Sequence, residues 1–188
     1  MKTATRDRTV SYRVPIHIGR LAEHDRIKAG VLRRIQNQAS GPYAVETSYI
    51  TRCDYAAPKA TERRYLRLVR RPIHDHIKRV MAPYGYRSLK VYNFFFQQYE
   101  RDSRHDWHVH METQWVGVYY VQLPPTTPRT EYLQMTGEAV KTVHEFPCRE
   151  GDVILFPSFV VHRAPSNPST ATKTIISFNF DCNIARSF

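Results

Sequence analysis

The chain has 188 residues, 41% of them hydrophobic, and a formal net charge of +11. That length and composition suit one folded domain with its own core and exclude a disordered or fibrous chain. No apolar run approaches the roughly 20 residues that a membrane-spanning helix needs, and the polar N-terminus "MKTATRDRTVSYRV" lacks the apolar stretch of a secretory signal, so a cytoplasmic setting with no membrane partner is expected.

Charge divides the chain. Residues 1–104 carry 22 Lys and Arg against 9 Asp and Glu, whereas residues 105–188 carry 6 against 8. A basic first half of this kind attracts polyanions, so nucleic acid or an acidic protein is an expected class of partner for residues 1–104. Cys53, Cys148 and Cys182 are odd in number and widely spaced, which fits reduced, buried thiols better than a disulfide framework or a zinc knuckle.

In chain order, "GRLAEHDRIKAGVLRRIQNQ" (19–38) places Leu21, Ile27, Val31 and Ile35 near helical spacing and reads as a helix, ended by "ASGPY". A second helical region is expected over about 60–82, with Thr61 as a possible cap and Pro72 splitting or restarting it. Its buried stripe is Ile73, Ile77 and Val80, and "APYGY" ends it. From about residue 88 the texture becomes β-rich, in "LKVYNFFFQQYE", "WVGVYYVQL", "VILFP", "FVVHRA" and "TIISFNF", separated by turn-forming stretches such as "REGD" and "PSNPST". The expected fold class is α+β. Residues 1–87 form a basic helical part packed against an all-β core of residues 88–188, a sandwich, barrel or jelly roll, within a single domain of residues 1–188.

The stretch "DWHVHMETQWVGVYYV" (106–121) carries the chemistry. Alternate residues of a strand share a face, so His108 and His110 project together, and Glu112 joins them if the strand continues. Two such groups can hold one metal ion, and His162 in "FPSFVVHRAPSN", 52 residues after His110, is the candidate third ligand. Two ligands on one strand and a distant His on another suit a double-stranded β-helix (jelly-roll or cupin-like). Non-haem iron oxygenases of that architecture use one face of the metal for protein ligands and leave the other open. Imidazole also suits zinc, copper and nickel, and H-x-H alone is a weak signal. His74 and His76 fall two apart on a helix and share no face, while His17, His24 and His144 have no evident partner. His105 stands near enough in sequence to approach the site. Trp107, Trp115 and Phe94–Phe96 are candidates for pocket walls or for core.

The ordered set H-x-H, a Gly–φ–Tyr–Tyr strand, Gly-Asp, Leu-Phe-Pro-Ser, a lone His, Pro-x-Asn and a Ser-x-x-Phe-Asn-type strand resembles the 2-oxoglutarate/Fe(II)-dependent oxygenase family over about residues 92–181. The resemblance implies a hydroxylase-type, 2-oxoglutarate-dependent non-haem iron oxygenase with Fe(II) as cofactor and 2-oxoglutarate and dioxygen as cosubstrates. It maps His108 and His110 to the H-x-H and His162 to the distal His. Glu112 stays open as an alternative ligand in the H-x-E register, or as a group orienting a ligand His. Lys173 falls where the family usually has Arg, a departure that exchanges a bidentate guanidinium for a point charge on the cosubstrate's far carboxylate. The resemblance also places Ser177 and Tyr120 beside that carboxylate. The competing readings are a three-His cupin-like metalloenzyme that does not use 2-oxoglutarate, and a basic nucleic-acid-binding module with a structural β core.

Overall fold

A computed structural model describes residues 13–58, 60–136 and 140–184. Its elements, in chain order, are β1 (His17–Arg20), α1 (His24–Gln36), β2 (Gly41–Val45), β3 (Ser48–Cys53), α2 (Leu66–Met81), a single 3₁₀ turn (Ala82–Tyr84), β4 (Tyr86–Tyr99) and β5 (His105–His108). β6 (Trp115–Gln122), β7 (Glu131–Thr136), β8 (Val140–Glu145), β9 (Asp152–Pro157), β10 (His162–Ala164) and β11 (Lys173–Ile184) follow. The strands form a seven-stranded sheet, in order β1-β9-β6-β11-β4-β3-β2, facing a four-stranded sheet, in order β5-β10-β7-β8. Every strand pair is antiparallel.

The large sheet is buried on both faces, because its central strands lack the polar alternation of a half-exposed strand. On β4, Phe94 and Phe96 pack with the helices, whereas Tyr99 belongs to the core between the sheets and Phe95 packs against it. On β6, Tyr119 and Val121 face the helices and Val116, Val118 and Tyr120 face inward. The helices contribute the stripes expected from their spacing: Leu21, Ile27, Val31 and Ile35 are buried, as are Val69, Ile73 and Ile77, with Val80 partly buried. Arg52 of β3 closes the end of α1, donating from Nη2 to the carbonyls of Ile35 (3.2 Å), Gln36 (3.4 Å) and Gln38 (3.4 Å). Asp54, fully buried, accepts from the Phe96 N–H at 2.8 Å, the Tyr65 hydroxyl at 2.9 Å and Arg63 Nε at 2.9 Å, tying the start of α2 to β4.

The N-terminal half departs from the expected helical layer. Residues 1–87 also hold β1 and the β2–β3 hairpin. Gly19 and Arg20, expected within the first helix, pair instead with Val153 and Asp152 of β9, so that helix begins at His24. An open edge of the large sheet outcompetes the helical propensity of four residues. Thr61 is not a cap: its N–H bonds to the Pro58 carbonyl, and α2 starts at Leu66. Pro72 lies inside α2 without splitting it. It forgoes one backbone hydrogen bond, but buried Val69, Ile73 and Ile77 hold both halves of the helix on the sheet. Gly85, at φ 64°, ends the segment in the left-handed conformation that glycine adopts without cost.

Gly117 of β6 is required by space. A Cβ there would stand 2.1 Å from the ring of Phe178, a fully buried side chain of the neighbouring strand. Gly117→Ala is expected to cost about 2–3 kcal/mol through overpacking, read as a lower denaturant midpoint at unchanged slope. Adding Phe178→Leu should recover part of that loss.

Candidate active site

The two flanking strands of the small sheet meet β10 at one residue. His162 is in register with His108 of β5 on one side and with Tyr132 of β7 on the other. Directly paired residues project to the same face, so the two imidazoles and the phenol stand abreast in the space between the sheets. His110 reaches the same point by another route. β5 ends at His108, and the His110 N–H donates to the Ser158 carbonyl at 3.0 Å. Ring centroids are 4.2 Å apart for His108 and His162, and 5.4 Å for His110 with each of the others. One ring nitrogen from each of the three lies within 4.8 Å of the others.

Hydrogen bonds select the nitrogens that are free. His108 Nδ1 lies 2.7 Å from the Asp106 carbonyl and His162 Nδ1 lies 2.9 Å from the Val160 carbonyl. A carbonyl only accepts, so each Nδ1 carries the proton and each Nε2 presents its lone pair. Desolvation lowers the pKa of all three histidines, to about 4 for His110 and well below the usual range for His162, so they are neutral at pH 7. Converging neutral imidazoles, two of them with fixed tautomers, are the donor set of a borderline or soft-to-intermediate divalent metal. His105 stacks on His108 at 3.9 Å and 23° and is itself pushed to about 3 by burial. Glu112 does not take part. The strand alternation that would have aligned it stops at His108, and Glu112 sits exposed in a bend outside the imidazole cluster.

The residues expected at the cosubstrate lie on the inner face, at the end toward which β11 begins. Lys173 is 1% exposed; its ammonium donates to the Pro128 carbonyl at 2.9 Å and lies 4.6 Å from the Tyr99 ring centroid. Among the described residues no carboxylate is within ion-pair distance of it, and burial draws its pKa down to about 8. A desolvated ammonium held by one carbonyl and a ring face lacks a counterion, which suits an incoming carboxylate. Ser177 Oγ donates to Gln97 Oε1 at 3.1 Å, and both side chains line a cavity of about 40 Å³ beside the three histidines. The Tyr120 hydroxyl is already engaged, 2.7 Å from Thr130 Oγ1 and accepting from the Thr130 N–H at 3.2 Å, and it is Thr130 that faces the cavity.

One residue escaped the sequence reading. Tyr132 is 2% exposed and its hydroxyl has no hydrogen-bond partner among the described residues. A buried phenol left unpaired beside His162 is the kind of group that an oxygen-rich ligand satisfies. Only strand register, not any motif in "RTEYLQM", brings it here. A second cavity of about 300 Å³ opens past His105, His108 and His110, walled by Tyr43, Ile50, Tyr55 and Phe95. Of the other aromatic candidates, Trp107 packs under the Arg163 guanidinium at 4.4 Å and Trp115 stacks on Phe180. His24 hydrogen-bonds the Tyr119 hydroxyl at 2.8 Å and His17 that of Tyr84 at 3.1 Å, on the helical side of the large sheet and at its edge.

This architecture, two antiparallel sheets enclosing a histidine cluster, is a double-stranded β-helix of the kind found in non-haem iron enzymes. The non-heme alpha-ketoglutarate-dependent epimerase SnoN from nogalamycin biosynthesis superposes with a TM-score of 0.67 at 12% identity, over 89% of this chain and 78% of that one. HygX from Streptomyces hygroscopicus, solved with nickel, 2-oxoglutarate and hygromycin B bound, gives 0.65 at 11% identity, over 89% and 82%. A Pseudomonas putida prolyl-4-hydroxylase gives 0.55 at 16% identity, over 93% and 94%. These likenesses establish the fold. No curated protein sequence matches the chain. Residues 94–179, which contain all three histidines and Lys173, match the family described as "Putative 2OG-Fe(II) oxygenase".

The greater part of the β core, residues 94–179, thus matches the 2OG-Fe(II) oxygenases. The protein is a non-haem iron enzyme whose cofactor is Fe(II) and whose cosubstrates are 2-oxoglutarate and dioxygen. That assignment sets aside both a cupin-like enzyme without 2-oxoglutarate and a purely structural β core. No helix among the described residues is long and apolar enough to cross a membrane.

Replacing His108, His110 or His162 by Ala should each lower Co(II) affinity, measured by calorimetry on the metal-free protein, by more than roughly 100-fold, beyond the range of outer-sphere substitutions. Glu112→Gln, which removes an exposed and solvent-screened charge, should change it by less than about twofold.

Proposed function

We propose that this protein is a hydroxylase in which His108, His110 and His162 hold Fe(II) through Nε2, while Lys173 and Tyr132 receive the far carboxylate of 2-oxoglutarate. The observation that carries the reading is the convergence of three neutral imidazoles, two of which, His108 and His162, have their Nδ1 hydrogens committed to backbone carbonyls. When bound, Fe(II) and 2-oxoglutarate supply the oxidising power that inserts an oxygen atom from dioxygen into a substrate C–H bond.

The protein's own residues do the positioning. Three neutral ligands leave the full charge of a divalent ion in place, and a dianionic cosubstrate matches it. Lys173 would offer an ammonium to the far carboxylate, and the Tyr132 hydroxyl, unpaired on a ring that stacks on His162, a phenol donor. Thr130, held by Tyr120, and Ser177, held by Gln97, add hydroxyl groups to the same wall. Phe95, Tyr43 and Tyr55 wall the larger cavity on the far side of the histidines, where a substrate would sit away from bulk water. The free, buried thiols Cys53, Cys148 and Cys182 suit a reducing, cytoplasmic compartment.

The decisive experiment is anaerobic addition of Fe(II) and then 2-oxoglutarate to the metal-free protein, following the weak visible charge-transfer band of such chelates. The band should form, vanish in His162→Ala and weaken in Lys173→Ala. Iron binding with no band would remove 2-oxoglutarate from this site. Lys173→Ala should weaken 2-oxoglutarate binding roughly 10- to 100-fold, or 1.5–3 kcal/mol, the worth of hydrogen bonds to a charged group. Tyr132→Phe should also weaken it, yet leave the ligand-free protein equally or more stable, because it deletes an unpaired buried hydroxyl.

The pH dependence has a definite sign. Lys173 in the ligand-free protein loses its proton near pH 8, and the carboxylate pairs with the protonated form. Affinity for 2-oxoglutarate should therefore be flat below pH 8 and fall by up to about tenfold per pH unit above it. In Lys173→Arg that fall should disappear, since a guanidinium stays protonated. Calorimetric titrations between neutral and mildly alkaline pH on the two proteins check this.

A further inference from the structure

A cavity of about 910 Å³ lies away from the imidazole cluster, between α2 and β4. Arg63, Arg67, Arg70, Arg71 and Lys90 line it, against Glu62 as its one carboxylate. Arg63 is committed to buried Asp54, Arg67 pairs with Glu62, and Arg71 stands 3.7 Å from Asp75. Arg70 and Lys90 have no carboxylate within ion-pair distance among the described residues. They lie over aromatic rings instead, Arg70 at 5.8 Å from Phe94 and Lys90 at 5.4 Å from Tyr92. Leu66, Leu89 and Val91 supply apolar surface between these charges.

The groove follows a strand edge. Leu89, Lys90 and Val91 are consecutive, and consecutive strand side chains point to opposite faces, so a groove that touches all three runs along the edge of β4. β4 is paired with β11 from Tyr86 to Tyr99, but with β3 only at Gln97 and Gln98. The Phe96 N–H is taken by Asp54. From Tyr86 to Tyr92, then, before the bulge at Asn93 (φ 52°), no described strand covers the second edge of β4. An exposed edge of this length is ordinarily blunted or used.

We propose that this groove is a docking site for an extended acidic peptide, which adds to the open edge of β4 by main-chain hydrogen bonds and sets carboxylates of one face on Arg70 and Arg71 of α2 and those of the other on Lys90. The edge supplies backbone donors and acceptors, the cations supply selectivity for acidic side chains, and Leu66, Leu89 and Val91 cover the methylene stems of those on the α2 face. Nucleic acid fits less well. His74 is the one ring that lines the groove, with no Phe, Tyr or Trp to form a platform for successive bases, and a strand edge has no use for a phosphodiester chain. The site is separated from the imidazole cluster by the large sheet and does not depend on the roles given to the histidines.

The test uses the full chain and a fluorescent peptide of consecutive glutamates, about seven residues long to match the regular part of the open edge. Saturable binding is expected. It should fall at least about tenfold in Arg70→Glu/Lys90→Glu, and likewise in Arg67→Glu/Arg71→Glu, whose side chains are exposed and whose loss leaves the core intact. The same peptide with alternate backbone nitrogens methylated, which keeps every charge but removes the edge hydrogen bonds, should fail to bind. Absence of saturable binding overturns the proposal. So does equal binding of the methylated peptide, which would make the groove a nonspecific polyanion surface. Tighter binding of oligothymidylate, lost in the same charge-reversal variants, would reassign the groove to nucleic acid.

Discussion

Antiparallel register in the small sheet decides what this protein can do. His162 occupies the central one of three adjacent positions, with His108 and Tyr132 beside it, and every other feature of the site is arranged around that row. A one-residue slip in either pairing would send a side chain to the opposite face and dissolve the cluster. The short strand β10 has little register information of its own, with only His162–Ala164 to pair. Its alignment is fixed from outside, by the Leu133 N–H on the Val161 carbonyl and the His110 N–H on the Ser158 carbonyl. The loops on both sides of the strand thus work as part of the site.

Electrostatics then distinguishes the two ends of that site. At the metal end, burial removes protons from imidazoles and leaves lone pairs. At the closed end, the same burial bears on a lysine that still keeps its proton at neutral pH. Lysine in place of arginine makes this end sensitive to pH where a guanidinium would not be. It also loosens the geometric hold on a carboxylate, since an ammonium offers no planar fork. The unpaired hydroxyl of Tyr132 is well placed to restore some of that direction.

Much of this was legible in the sequence because it rests on periodicity and on motif order. The stripe Leu21, Ile27, Val31, Ile35 specified one helix face, and the succession from H-x-H to His162 specified the core. What could not be read depends on long-range pairing. Nothing local in "HIGR" says that it will complete a sheet edge against β9 rather than begin a helix. Nothing in "CDY" marks Asp54 as the carboxylate that joins α2 to β4, since its three donors lie 9, 11 and 42 residues away. The alternation argument for Glu112 was sound for a strand, and failed because the chain leaves the strand after His108. Tyr120, which the resemblance sets beside the cosubstrate's carboxylate, has its hydroxyl engaged by Thr130, a partnership that only the fold reveals.

The contact between Gly117 and Phe178 has an evolutionary consequence. The two positions lie side by side on β6 and β11, and the ring occupies the volume where a side chain at 117 would begin. They therefore behave as one inherited unit. A lineage can exchange a glycine and a large aromatic for two medium side chains only by passing through a form that is overfilled or hollow. Descendants of this sequence should hold both residues or change both.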